Sequence, residues 1–269
     1  MRTKYILLIL ALLSIKNASS QISIDGFFKA KGDGALVLGA GFEDTKNYFS
    51  GSTRTDISRS LYYGNLFGSY GITDALDVNI SIPFLSSNEN SNFQDIALLL
   101  KYRIFKRALS EGELSFGGVL GFSTPLTDYD IGGLNDIGQQ ATTIGAKLLA
   151  HYQNNYGWFS TLQVGYYYKL EEVPNAIPVG LKMGKATSNL YFDVFYEYQN
   201  SEMGIDYLGT PSPQNFRELE VDFHKLGGTF YKPFSSKWGA YLAVSYVVVG
   251  RNVFQGPGYG LGLVYNFKR

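Results

Sequence analysis

The sequence predicts an all-β protein, an antiparallel transmembrane β-barrel of about twelve strands. Three observations predict it. Apolar and polar residues alternate over most of the chain. Successive strand side chains point to opposite faces, so each such run has one oily side and one wet side. Many runs pass ten residues, whereas soluble strands usually have about 5–6 and a tilted membrane strand needs about 9–11. The segments between runs are alternately short and longer, as outer-membrane barrels alternate periplasmic turns with extracellular loops.

Composition agrees. Tyr (21), Phe (19) and Gly (31) are abundant, and charged residues are 17% of the chain where soluble proteins average about 25%. Mean hydropathy is nevertheless −0.06, which excludes a bundle of membrane helices. Basic and acidic residues balance at 23 each, so no charge excess points to nucleic acid. There is no cysteine, which removes disulfides and thiolate metal sites.

The elements follow in order. Arg2 and Lys4 precede an apolar run from Tyr5 to Ile15, too short to span a bilayer, and Ala18-Ser19-Ser20 offers a small-residue cleavage site. Residues 1–20 are therefore expected to be a secretory signal peptide. Residues 21–32 are expected to be a short periplasmic segment without a plug domain, and 33–269 the barrel. Strands are expected at 34–45, 57–71, 75–86, 93–105, 111–123, 139–153, 157–169, 176–186, 189–200, 216–231, 238–251 and 257–268.

The run from Leu76 to Phe84 shows the pattern best, with every even position apolar and every odd one polar or proline. Pro83 and Pro178 remove ladder donors and are expected at bulges or strand-end kinks. Residues 44–56, 124–138 and 201–215 form long connections, and 72–74, 106–110, 154–156, 186–188 and 232–237 short ones. This alternation closes with an even strand count and both termini in the periplasm. Aromatics near strand ends, among them Tyr62, Tyr63, Phe67, Trp158, Phe159, Tyr167, Tyr198, Trp238 and Tyr241, are expected to form girdles at the two headgroup levels.

Several stretches carry a family resemblance: Lys31-Gly32-Asp33-Gly34, Tyr62-Tyr63-Gly64, the run Tyr70-Gly71-Ile72-Thr73-Asp74-Ala75-Leu76-Asp77-Val78, Asp95 with Lys101-Tyr102-Arg103, and Gly121-Phe122-Ser123-Thr124-Pro125. The chain resembles the bacterial outer-membrane transporter family labelled for the meta-pathway of phenol degradation. The resemblance implies a Gram-negative outer-membrane barrel that passes small, often hydrophobic compounds. The chain end Tyr265-Asn266-Phe267-Lys268-Arg269 is similar to the signal read by barrel-assembly machinery, although two basic residues follow the aromatic. The partners so implied are outer-membrane lipid, that machinery and a small-molecule solute, with no cofactor.

On this register the wet face is the lumen. Lys101, Arg103, Lys147 and Lys182 would supply a basic sector of its wall. Asp193, Glu197, Glu218, Glu220 and Asp222 would supply an acidic one with His224 as a pH-sensitive charge within it, and Asp95 is a further lumen candidate. Separate sectors would set a transverse field across a narrow pore. The tenth strand carries a conflict: if Leu219, Val221 and Phe223 face lipid, so does Lys225, at a cost of about 2–4 kcal/mol near the midplane. Either a bulge near His224 flips the register or Lys225 lies at the rim. Loops 124–138 and 201–215 are candidates to fold inward as constrictions.

No enzyme is expected. The phospholipase motif His-x-Ser-Asn-Gly is absent, and His151 is followed by Tyr152, Gln153 and Asn154. Asp222-x-His224 offers a carboxylate and an imidazole on one strand face, but no second acidic pair stands opposite them in the sequence. Two readings stay open: a channel for passive passage of small solutes, and a filled, non-conducting barrel that acts through its extracellular loops.

Overall fold

A computed structural model describes residues 24–88, 90–131 and 133–268. The expected signal peptide lies outside the described residues. In chain order the strands are β1 (Gly34–Thr45), β2 (Asn47–Ser50), β3 (Thr53–Thr55), β4 (Arg59–Thr73), β5 (Leu76–Ser86), β6 (Ser91–Phe93), β7 (Asp95–Leu109) and β8 (Gly112–Pro125). They continue as β9 (Thr143–Asn154), β10 (Trp158–Lys169), β11 (Asn175–Ala186), β12 (Tyr191–Glu202), β13 (Asp222–Pro233), β14 (Trp238–Arg251), β15 (Val253–Gln255) and β16 (Pro257–Phe267). Twelve of them, all but the short β2, β3, β6 and β15, form one closed antiparallel barrel, with β6 added to its sheet beside the end of β5. It closes because β1 pairs with both β4 and β16 while β4 also pairs with β5.

Closure satisfies every strand edge, which hydrocarbon requires. The first and last strands meet in register, Gly34 opposite Phe267 and Phe42 opposite Tyr259. Gly34 is needed there, since a Cβ on it would lie 2.2 Å from the Phe267 ring.

The outward face is oily. Leu38, Leu120, Leu148 and Val194 are each more than 60% exposed, which in water would be an aggregating belt and in lipid is a solvated one. On the inward face Asp77, Asn79 and Ser81 are buried while their neighbour Ile80 is exposed, as the alternation predicts. Tyr62, Tyr102, Trp158, Tyr168 and Trp238 stand outward as girdle residues. Tyr63 and Phe159 do not; both are buried inside the barrel. Tyr241 also turns inward, over the side-chain-free Gly39 and Gly262, where a Cβ would lie 2.4 Å from its ring or hydroxyl. The glycine-lined wall of β1 and β16 therefore makes room for an inward ring.

Each of the two prolines falls where the ladder lacks a partner on one side, while the other side stays paired, Pro83 with Asn65 and Pro178 with Gln199. β5 pairs with β7 only as far as Ser81 and with β6 from Phe84 onward, so Pro83 sits at the exchange. Across β10 and β11 the pairing jumps from Val164–Val179 to Tyr167–Ala176, leaving Pro178 in the gap.

The tenth barrel strand begins later than expected, at Asp222. Residues Phe216–Glu218 form a 3-10 turn capped by the Asn215 side chain, which accepts from the Arg217 N–H. Its register is also the reverse of the expected one. Lys225 is opposite Glu197 and bonded to it at 2.6 Å inside the barrel, with Phe223 buried on the same face. His224 therefore points outward. The irregularity near His224 is real but lies on the other strand: His224 pairs with Val249 and Lys225 with Val247, leaving Val248 extra.

Candidate functional site

The barrel encloses a chamber with both ends occupied. Its periplasmic half holds the segment from Ile24 to Lys31. Ile24 is 6% exposed and packs with Leu99 and Val119, and its carbonyl accepts from the Gln163 side chain. Phe27 lies edge-on to Phe159 at 5.0 Å and to His151 at 4.6 Å, and Gly26 passes so close to His151 that a Cβ would meet its ring at 2.2 Å. The expectation of a periplasmic segment is corrected: described residues 24–31 run inside the barrel. Its apolar residues could have signalled this, since a free tail in water has no use for Ile24, Phe27 and Phe28.

Lys101 holds this segment. It is 3% exposed, and its ammonium donates to the Phe27 carbonyl. It stands 3.2 Å from Asp77, 3.8 Å from Asp25 and 4.5 Å from the centre of the Phe28 ring. Asp77, which is 0% exposed, also accepts from the Lys29 N–H at 3.2 Å. A buried lysine and a fully buried carboxylate thus neutralise each other while their remaining capacity is spent on the backbone, the condition under which a buried pair is tolerated. Arg103 also lies over the Phe28 ring, 4.8 Å from its centre, and donates to the Asp74 carbonyl.

The extracellular end is capped by three segments. Tyr129 and Ile137 of the 126–142 loop pack on Leu61, Tyr63 and Leu85 of the wall. The Tyr129 hydroxyl donates to Asp95 at 2.6 Å and accepts from the Gln140 N–H at 2.9 Å; burial and the Asp95 charge push that phenol up, so it stays a donor. β2, β3 and β15 form a small sheet over the rim, with Tyr48 against Phe254 and Tyr207. The third segment, 203–221, is tied down by Arg251, which grips Asp206 at 2.6 Å and Glu220 at 2.6 Å. It is tied to the first loop by Arg217, which donates to the carbonyls of Gln139 and Gln140.

Asn252 joins these parts. Its side-chain oxygen accepts from the N–H groups of Gly51 and Tyr207, and its amide donates to Asp206 and the Glu220 carbonyl. Its φ of 49° is one that asparagine tolerates better than most residues.

Between the caps and the N-terminal segment lies a cavity of about 290 Å³. Leu61, Leu85, Leu99, Leu219, Phe223 and Phe254 supply much of its apolar wall; Glu43, Arg59, Gln94, Asp95 and Lys225 supply polar groups. Small-molecule pockets begin near this size and are likewise mostly apolar with a few placed polar groups.

The expected separation of charge by sector is not found. Lys182 stands 3.8 Å from Asp193, Lys225 2.6 Å from Glu197, and Arg59 3.7 Å from Glu43. Adjacent strands bring opposite signs together, so fields cancel locally. Asp193 also accepts from the Tyr191 hydroxyl at 2.5 Å. Lys147 leans 5.2 Å from the Tyr167 ring centre. Glu220 is not on a barrel strand but in the Arg251 clamp. Asp222 begins β13 and accepts from the Ser201 N–H at 2.6 Å. His224 is on the outer face, its Nδ1 2.7 Å from the Tyr196 hydroxyl. Of the ten expected lumen residues, Asp95, Lys101, Lys182, Asp193 and Glu197 are buried or ion-paired on the inner face. Arg59, Glu43, Asp77 and Gln94 were not singled out, because no pattern within one strand shows which neighbour will face it.

A family model described as "Putative MetA-pathway of phenol degradation" matches residues 28–201, well over half of the chain. The chain belongs to this family. Among solved structures, the COG4313 outer membrane channel from Pseudomonas putida F1 superposes with a TM-score of 0.73 at 12% identity, covering 92% of this chain and 100% of that one. The NanC porin does so with a TM-score of 0.54 at 13% identity (87% and 100%), and the KdgM porin with 0.50 at 9% (86% and 99%). No curated protein sequence is significantly similar to the chain. At these identities the likeness is one of fold. A closed twelve-strand barrel with an apolar belt, in this family and with these neighbours, places the protein in the bacterial outer membrane.

Proposed function

We propose that this family member is an outer-membrane channel for the passive passage of small solutes, hydrophobic ones included, and that the structure is its closed state. The observation that carries the reading is the apolar-lined cavity of about 290 Å³ held between the loop caps and the N-terminal segment. A barrel built only as a scaffold would gain stability by filling that space, since buried voids are costly. Three of the inner-wall cations lie beside an acidic partner, Arg59 by Glu43, Lys182 by Asp193 and Lys225 by Glu197, which weakens any field that would hold an ion and suits solutes of low charge. The printed names of the neighbours, a channel and two porins, agree with this reading.

The second reading, a non-conducting barrel acting through its outer loops, is favoured by one observation: both ends of the lumen are occupied. Single-channel recording in planar bilayers separates the two. The unaltered chain is expected to give brief, small steps. A variant with residues 24–30 replaced by a flexible Gly-Ser run is expected to give large, sustained ones. Silence from both, while each migrates as a folded, heat-modifiable barrel, would overturn the channel and leave the loops as the working part.

A further inference from the structure

Outside the capping loop, two residues that line the cavity each carry a buried polar atom with no hydrogen-bond partner among the described residues. Gln94 is 3% exposed, and its Nε2 donates to the Ile137 carbonyl at 2.6 Å, yet its Oε1 is buried and unbonded. Arg59 donates from Nη1 to the Asp136 carbonyl at 3.4 Å, pairs through Nη2 with Glu43 at 3.7 Å, and lies 4.1 Å over the Phe254 ring. Its Nε is buried and unbonded. Both residues line the cavity. They are fastened to consecutive carbonyls of one loop, Asp136 and Ile137, so the free acceptor and the free donor border the same small region.

An orphaned buried polar group is costly, and two beside one cavity call for a common partner. That partner must donate one hydrogen bond, to Gln94 Oε1, and accept one, from Arg59 Nε. It should also be neutral. A carboxylate has no proton to give to Gln94 Oε1, and an ammonium has no lone pair to accept from Arg59 Nε. The apolar remainder of the wall, with Leu61, Leu85 and Phe254, asks for a hydrocarbon body. We propose that Gln94 and Arg59 form a subsite for the hydroxyl group of a small alcohol whose remainder is apolar. The inference rests on the channel reading for its purpose and on the cavity alone for its chemistry.

The test is equilibrium binding to the full chain in lipid nanodiscs, read by ligand-detected NMR against empty nanodiscs. The probes are 1-hexanol, hexanoate, hexylamine and 1-methoxypentane. The ether keeps the acceptor and loses the donor. Hexanol should bind most tightly, about 3–10-fold better than the ether, one net hydrogen bond's worth. Gln94→Leu should erase that difference while leaving ether binding in place. Equal binding of alcohol and ether by the unaltered chain would overturn the subsite, because ordered water then serves both atoms. So would tightest binding of either charged probe. The series on the unaltered chain decides the matter even if Gln94→Leu does not fold. The conductance experiment is independent: a conducting barrel without alcohol preference retires the subsite only, and alcohol preference in a silent barrel retires the channel only.

Discussion

Lys101 shows what a single buried charge does in this barrel. It ties Asp77 of the wall to the Phe27 carbonyl of the segment inside, so the same contact stabilises the wall and closes the lumen. Lys101→Met leaves Asp77 buried and without its cation, at a cost of about 3–5 kcal/mol. It should lower the unfolding temperature in lipid and raise conductance together. The double variant Lys101→Met, Asp77→Asn removes both charges and should recover much of the stability but none of the closure; heat-modifiability and current recorded on the same samples check both halves. Asp206 gives the residue-scale pH dependence. Its hydrogen bonds from Arg251 hold its carboxyl below the ordinary 3.8. A depressed pKa contributes stability that is present above the unfolded value and lost as pH falls through the folded one. Loop 203–221 should therefore keep its amide protection from neutral pH to about 4 and lose it only in stronger acid, as hydrogen exchange would show.

At the scale of elements, strands were legible and their interior partners were not. The run Leu76 to Phe84 announced its faces because lipid rewards one side and a polar lumen the other, and β5 has that alternation of burial. The tenth strand misled for a physical reason. The upper lumen is itself apolar, so Leu219, Val221 and Phe223 mark the cavity and not the lipid. Alternation fixes which residues share a face; it says which face only when one solvent is oil and the other water. Lys225 was the residue that carried the answer, because its charge had to find Glu197. Loop closure was equally hidden, since Asn252 binds segments far apart in sequence. Asn252→Ala removes five hydrogen bonds and strains a positive φ. It should destabilise the outer cap by roughly 2 kcal/mol or more and raise exchange in 47–55 and 203–221 alike. Asn252→Gly should relieve the strain alone and fall between.

For the molecule as a whole, length, composition and loop alternation were enough to give an even-stranded membrane barrel with both ends on one side. The closed sheet confirms it through a pairing, Gly34 with Phe267, that no local pattern contains. The interior was less legible because it is assembled from single residues of many strands. The described chain begins at Ile24, deep among Leu99 and Val119, and descends to the rim where Gly32 donates to Gly71. The Ile24 end of this segment therefore lies inside the tube and its Gly32 end at the rim. The last strand ends at the rim. A bulky probe attached at Ile24 would crowd the bore, whereas one attached at Lys268, past the end of the last strand, leaves the interior as it is. Variants labelled at these two positions are thus not interchangeable reagents, and a current recorded from the first kind reports a differently occupied tube from a current recorded from the second.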